Sequence, residues 1–131
     1  MDRKDANQIS ALSLAFLGDA VFTLYIRDYL VNNNDGKSGL LHLEASKFVC
    51  AKAQAKMFES ISSELTEEES DIAKRCRNAH NTSKAKNAGL SDYKRATALE
   101  GLFGYLKLVG EEERLNYLMA KCKEIIGNEN A

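Results

Sequence analysis

Two acidic residues stand inside apolar helical sequence, and their surroundings mark them for chemistry. Asp19 lies in Leu14–Ala15–Phe16–Leu17–Gly18–Asp19–Ala20–Val21–Phe22, and Glu100 in Ala96–Thr97–Ala98–Leu99–Glu100–Gly101–Leu102–Phe103–Gly104–Tyr105–Leu106. An ionised carboxylate buried among such neighbours costs several kcal/mol unless it is paired or bound to a cation. Two of them on different helices, each beside a glycine (Gly18 and Gly101), are candidates to converge on one ion. Hard carboxylate oxygens suit Mg2+, with Mn2+ as a substitute. Mg2+ takes one or two carboxylates and completes its octahedron with water and substrate phosphate oxygens. Such an ion polarises a phosphodiester and lowers the pKa of an attached water. The small neighbours would let backbone or substrate approach closely. Spacing alone leaves a second reading open, in which Gly18–Asp19 forms a turn or helix cap and Glu100 pairs along its own helix with Lys94 or Lys107.

The elements that would carry these acids are helical. Proline is absent, and no segment alternates apolar and polar residues long enough to make a strand. The first helix is expected from about Asn7 to Leu30, with Ile9, Leu12, Phe16, Ala20 and Leu24 on its apolar side. Apolar residues nearly encircle its middle, as in a helix at the centre of a bundle. A turn-forming run, Asn32–Asn33–Asn34–Asp35–Gly36, follows. A second helical region over about 39–64, divided near Lys47–Cys50, would bury Leu40, Leu43, Phe48, Ala51, Ala55, Phe58 and Ile61. Thr66 with Glu69 three residues on makes a capping box for a helix running to about Ala79. The stretch from His80 to Leu90 reads as a surface loop. Ser91 would cap a helix from Asp92 to about Val109 with Leu99, Leu102, Phe103 and Leu106 inward. A last helix from Glu111 to Ile126 would stop at Gly127. The fold class is all-α.

The chain has 131 residues, 44% hydrophobic and 28% charged, which suits one soluble domain over 1–131. No apolar leader follows Met1, and the longest apolar stretch, Ala11–Ile26, is too short and too polar to span a bilayer. A cytoplasmic protein without a membrane partner is expected. Cys50, Cys76 and Cys122 offer neither a disulfide framework nor a paired-cysteine metal knuckle. Arg75 and Arg77 flank Cys76 and would lower its thiol pKa, though an idle buried thiol is the commoner case. His42 and His80 have no neighbour at ligand spacing, so a structural or surface role is expected of both. The net charge of −1 conceals an asymmetry. Residues 74–95 carry Lys74, Arg75, Arg77, Lys84, Lys86, Lys94 and Arg95 against Asp92 alone, a net +6 that leaves −7 on the remainder. That segment is a candidate phosphate-facing surface.

At the two acidic segments the sequence resembles the ribonuclease III nuclease domain. Leu14–Val21 is similar to the family's signature motif, and Thr97–Leu106 to its second acidic motif. The likeness is closer to the short Mini-ribonuclease III subfamily, through Tyr25 and Arg27, His42 and Ser46, Ala51–Lys52–Ala53–Gln54–Ala55, Thr66–Glu69, Lys74–Ala79, Lys86–Asn87 and Tyr93. It covers about Ile9 to Leu118. The longer family members carry a Glu where this chain has Ala15 and an Asp where it has Thr97. The short subfamily resembles this chain in keeping only the acids at Asp19 and Glu100.

The resemblance implies an endoribonuclease that cleaves double-stranded RNA with Mg2+ held at Asp19 and Glu100. Water would attack phosphorus in line and leave 5′-phosphate and 3′-hydroxyl ends. It implies a homodimer whose two sites face a shared cleft, one per RNA strand, and a role in maturing precursor ribosomal RNA of the large subunit. With the chain ending at Ala131, no separate double-stranded-RNA-binding domain is expected. Recognition would fall to Lys74, Arg75, Arg77 and Asn78 and to Lys84 and Lys86, through phosphates and 2′-hydroxyls rather than bases. Two alternatives remain at this point. One is a catalytically silent relative that binds structured RNA. The other is a helical interaction module whose basic segment meets an acidic partner.

Overall fold

The computed structural model describes residues 1–33, 38–79 and 89–129. Among them every regular element is helical. They are α1 (Arg3–Ala6), α2 (Ala11–Asn33), α3 (Ser38–Val49), α4 (Ala51–Ile61) with a 3-10 turn at Ser62–Glu64, α5 (Glu67–Arg77), α6 (Leu90–Leu108) and α7 (Glu112–Glu129). The all-α expectation holds.

The core forms around α6, against which α2, α4 and α5 pack. Leu99, Leu102, Phe103 and Leu106 are inward as predicted, joined by Tyr105, and the Phe103 ring meets Phe22 of α2 at 5.5 Å between centroids. Glycines set the closeness of the α2–α6 crossing. A Cβ at Gly18 would run into the Glu100 carbonyl, and one at Gly104 into the Leu14 carbonyl. Gly18 therefore admits backbone. Gly101 faces the Cys76 side chain rather than open space for a substrate. Gly18→Ala should cost about 3 kcal/mol or more, because two backbones must separate rather than one side chain turn. Urea unfolding measures it, and a loss below about 1 kcal/mol would show that the crossing relaxes freely.

Capping followed local chemistry where the side chains were right for it. Thr66 Oγ1 accepts from the Glu69 backbone N–H at 3.1 Å, and Glu69 Oε1 accepts from the Thr66 N–H at 2.9 Å, completing the capping box. Glu69 also receives both Nε and Nη2 of Arg114 from α7, which ties the α5 start to the last helix. The split in the second helical region falls at Cys50, whose extended backbone starts α4.

Several boundaries and faces differ from expectation. The helix predicted from about Asn7 to Leu30 is α2, which begins at Ala11, where the Ser10 side chain accepts from the Ser13 N–H, and runs on to Asn33; the short α1 precedes the predicted range. Gly127 lies inside α7, and the stop glycine is Gly110, with φ of 78°, after α6. Ser91 is within α6 and caps nothing; the position before the helix is Gly89. The chief correction concerns burial. Leu12, Phe16, Ala20 and Leu24, read as the core side of α2, are exposed, Phe16 at 83%, and Leu14, Phe22, Ile26 and Leu30 face inward instead. On α3, Leu40 and Leu43 are exposed, as is Ala51 of α4. No described helix is long and apolar enough to cross a membrane.

Candidate active site

Asp19 sits mid-way along α2 with its residue exposed, one position after the glycine that presses on the Glu100 backbone. That crossing brings two residues 81 apart in sequence together, and the Glu100 carboxyl lies within hydrogen-bonding reach of Asp19. Burial, and then the neighbouring Asp19 charge, push the Glu100 carboxyl from 4.5 up to about 8. None of the ion pairs among the described residues includes either acid. Two like-charged groups held together in a half-buried place need a shared proton or a cation. The intrahelical alternative for Glu100 is not realised, since Lys107 pairs with Glu112 at 3.1 Å.

The donor set fits a hard divalent cation that keeps most of its water. Asp19 and Glu100 are two carboxylates of the kind such an ion takes, and among the described residues no third His, Cys, Asp or Glu joins them. The two positions where longer relatives carry acids are occupied by structure. Ala15 is buried at the crossing, and Thr97, also buried, donates its hydroxyl to the Tyr93 carbonyl at 2.9 Å.

A further polar group stands behind Glu100. Gln54 of α4 is 2% exposed, and its side-chain amide bears on the Glu100 carboxyl. Sequence reasoning placed no role on it. The signal was its position on the inward stripe Gln54, Met57, Phe58 and Ile61, where an amide breaks an apolar 3–4 spacing.

The basic residues are placed unevenly. Lys74, Arg77 and Asn78 are exposed at the end of α5, with Asn78 in the C-cap position. Arg77 Nε donates to Asn78 Oδ1 at 3.5 Å. Arg75 turns inward, donating Nη1 to the Ile9 carbonyl at 3.0 Å, while its Nη2 is buried without a partner among the described residues. Cys76 packs on Gly101, so the end of α5 lies beside the segment carrying Glu100. Its thiol is pushed up to about 11 by burial against the opposing effect of Arg75, the reverse of the lowering expected from flanking arginines. Arg95 pairs with Glu59 at 3.2 Å. His42 is exposed on α3. Lys84, Lys86 and His80 lie outside the described residues.

The chain is similar to known proteins over nearly its whole length. The model of the ribonuclease III domain matches residues 12–111. The Mini-ribonuclease 3 of Enterococcus faecalis is 43% identical over 129 residues, covering 97% of this chain and 98% of that one. The Mini-ribonuclease 3 of Staphylococcus aureus is 40% identical over 131 residues, covering 96% and 98%. A crystal structure of a Fusobacterium nucleatum protein superposes with a TM-score of 0.79 at 32% identity, covering 95% of this chain and 98% of that one.

Proposed function

The chain belongs to the ribonuclease III family, an endoribonuclease by that membership, and from this premise we propose that it is a Mg2+-dependent homodimer that cuts double-stranded precursor ribosomal RNA of the large subunit in the cytoplasm. The observation that carries the proposal is the meeting of Asp19 and Glu100 with no cationic side chain among the described residues paired to either. Mg2+, when bound, polarises the phosphodiester and eases deprotonation of the attacking water. Mn2+ would serve in its place.

The protein's own contribution is placement. Asp19, exposed, meets the substrate side, and Glu100 holds its carboxyl from the half-buried side. The helix crossing at Gly18 fixes their separation. Lys74 and Arg77 would take phosphates, with Asn78 orienting one of them, and Arg75 would stiffen the α5 end from behind through Ile9. Lys84 and Lys86 complete this proposed RNA surface.

The exposed side of α2 supports the dimer. Leu12, Phe16, Ala20, Leu24 and Val31 recur at helical spacing on one face, and Leu40 and Leu43 of α3 add to the exposed apolar area. Asp19 is three residues beyond Phe16, at the border of that face. A second copy packed there would set two acidic pairs beside one groove, matching the approximate dyad of a duplex.

The test is to incubate the purified protein and Mg2+ with precursor ribosomal RNA of the large subunit and map the ends. Paired cuts on opposite strands of a duplex stem, bearing 5′-phosphates, are expected. Cleavage confined to single-stranded regions would refute the duplex reading, and cuts elsewhere than the maturation stems would refute the precursor.

A further inference from the structure

Gln54 is a desolvated amide, 2% exposed, on the inward side of α4. Its Nε2 is fully buried and makes no hydrogen bond among the described residues, although the side chain bears on Glu100. Its neighbours along α4, Ala53, Ala55 and Met57, are buried too, so water does not reach it from that helix. Buried amide donors are nearly always paired, because a lost hydrogen bond to water must be replaced inside. The group it bears on is an acid whose charged form it favours.

We propose that Gln54 is a positioning residue of the metal centre, donating Nε2–H to the Glu100 carboxylate oxygen that a divalent cation leaves free. The inference rests on the reading of Asp19 and Glu100 as the cation's ligands. A carboxylate that gives one oxygen to a metal presents the other to an outer donor, and such donors fix ligand orientation and raise metal affinity. Only the N–H end of the amide suits an ionised carboxylate. The amide's burial is then matched by a partner when the site is loaded, so part of the cost of an orphaned donor works in favour of cation binding. Gln54 comes from α4, whereas Asp19 and Glu100 come from α2 and α6, so a third helix would hold the Glu100 rotamer against the crossing.

The experiment is direct titration of the full chain with Mn2+ alone, following free Mn2+ by electron paramagnetic resonance. Wild type is compared with Gln54→Met, which keeps the unbranched shape and removes the donor, and with Asp19→Asn. Gln54→Leu replaces Gln54→Met if the latter does not fold. The expected result is Mn2+ affinity about tenfold weaker in Gln54→Met than in wild type, in line with the usual loss on removing an outer-shell partner. The metal-free Tm should be equal or higher, since an unpaired amide has been removed. The Mg2+ concentration for half-maximal cleavage should rise in parallel, with KM for RNA unchanged at saturating Mg2+. A folded Gln54→Met with wild-type Mn2+ affinity overturns the role of Gln54 while leaving the metal site standing, provided Asp19→Asn binds more weakly. Equal Mn2+ binding by wild type and Asp19→Asn overturns the site itself, and the role of Gln54 with it.

Discussion

Asp19→Asn and Glu100→Gln should each reduce RNA cleavage by about a thousandfold or more while leaving duplex binding intact. Cation stabilisation of a phosphodiester transition state supplies several kcal/mol, and each 1.4 kcal/mol is a factor of ten. Binding should be unchanged in Glu100→Gln and unchanged or tighter in Asp19→Asn, which removes a negative charge from the exposed, phosphate-facing side. Gel retardation in Ca2+ or without metal reads binding, and end mapping in Mg2+ reads cleavage.

Glu100→Gln carries a second, opposite signature in stability. The Glu100 carboxyl is pushed up to about 8 by burial and by Asp19, against 4.5 for the group in an unfolded chain. Below about pH 4.5 both states hold the proton and the full stability is present. Between there and about pH 8 the folded protein keeps a proton that the unfolded chain releases. Stability is therefore lost as pH rises through that window, by at most about 1.4 kcal/mol for each unit. Metal-free Glu100→Gln should flatten this slope and melt higher than wild type at pH 8. Mg2+ should stabilise wild type most at high pH, where Glu100 gives up its proton most easily. Wild-type cleavage by Glu100→Gln would refute its role. A variant that melts lower than wild type at pH 8 without metal would refute the account of its environment.

Legibility in the sequence followed the range of the interactions involved. The capping box at Thr66 and Glu69 is spelled out by residues three apart, and the inward face of α6 by the spacing of Leu99, Leu102, Phe103 and Leu106. Both were readable. The meeting of Asp19 and Glu100 was readable only as an anomaly, two acids in apolar company, because nothing local says that Gly18 will press on the Glu100 carbonyl. Gln54 was missed because its partner is 46 residues away and its alanine neighbours look unremarkable. The placement of Arg75 is illegible for the opposite reason. Its charge matched its neighbours Lys74 and Arg77, yet the turn of α5 that shows them outward points Arg75 at the Ile9 carbonyl. α2 posed the hardest problem, since apolar residues surround it and periodicity cannot tell a face that meets its own core from one that meets another chain.

That ambiguity sets the second large expectation. If the proposed homodimer forms through this face, Phe16→Asp should convert it to monomer at micromolar concentration, with double-strand cleavage nearly lost. Phe16 leaves 83% of its surface in solvent and Leu24 leaves 69%, a poor arrangement for an isolated chain. Burying one phenylalanine is worth roughly 1.5–3 kcal/mol, and an isologous interface counts the change twice. The loss of association is then at least about a hundredfold before the cost of desolvating two new carboxylates. The monomer itself should fold normally, because the side chain contributes little to the core of its own subunit and Asp is well solvated at that site. Sedimentation equilibrium separates the outcomes. A monomeric, folded Phe16→Asp that nicks one strand or cuts nothing fits an interface that sets two Asp19–Glu100 pairs across one groove. A wild type already monomeric at the same concentration, or a Phe16→Asp dimer as tight as wild type, would leave the apolar face of α2 without that role. Paired cleavage would then need an explanation within a single subunit.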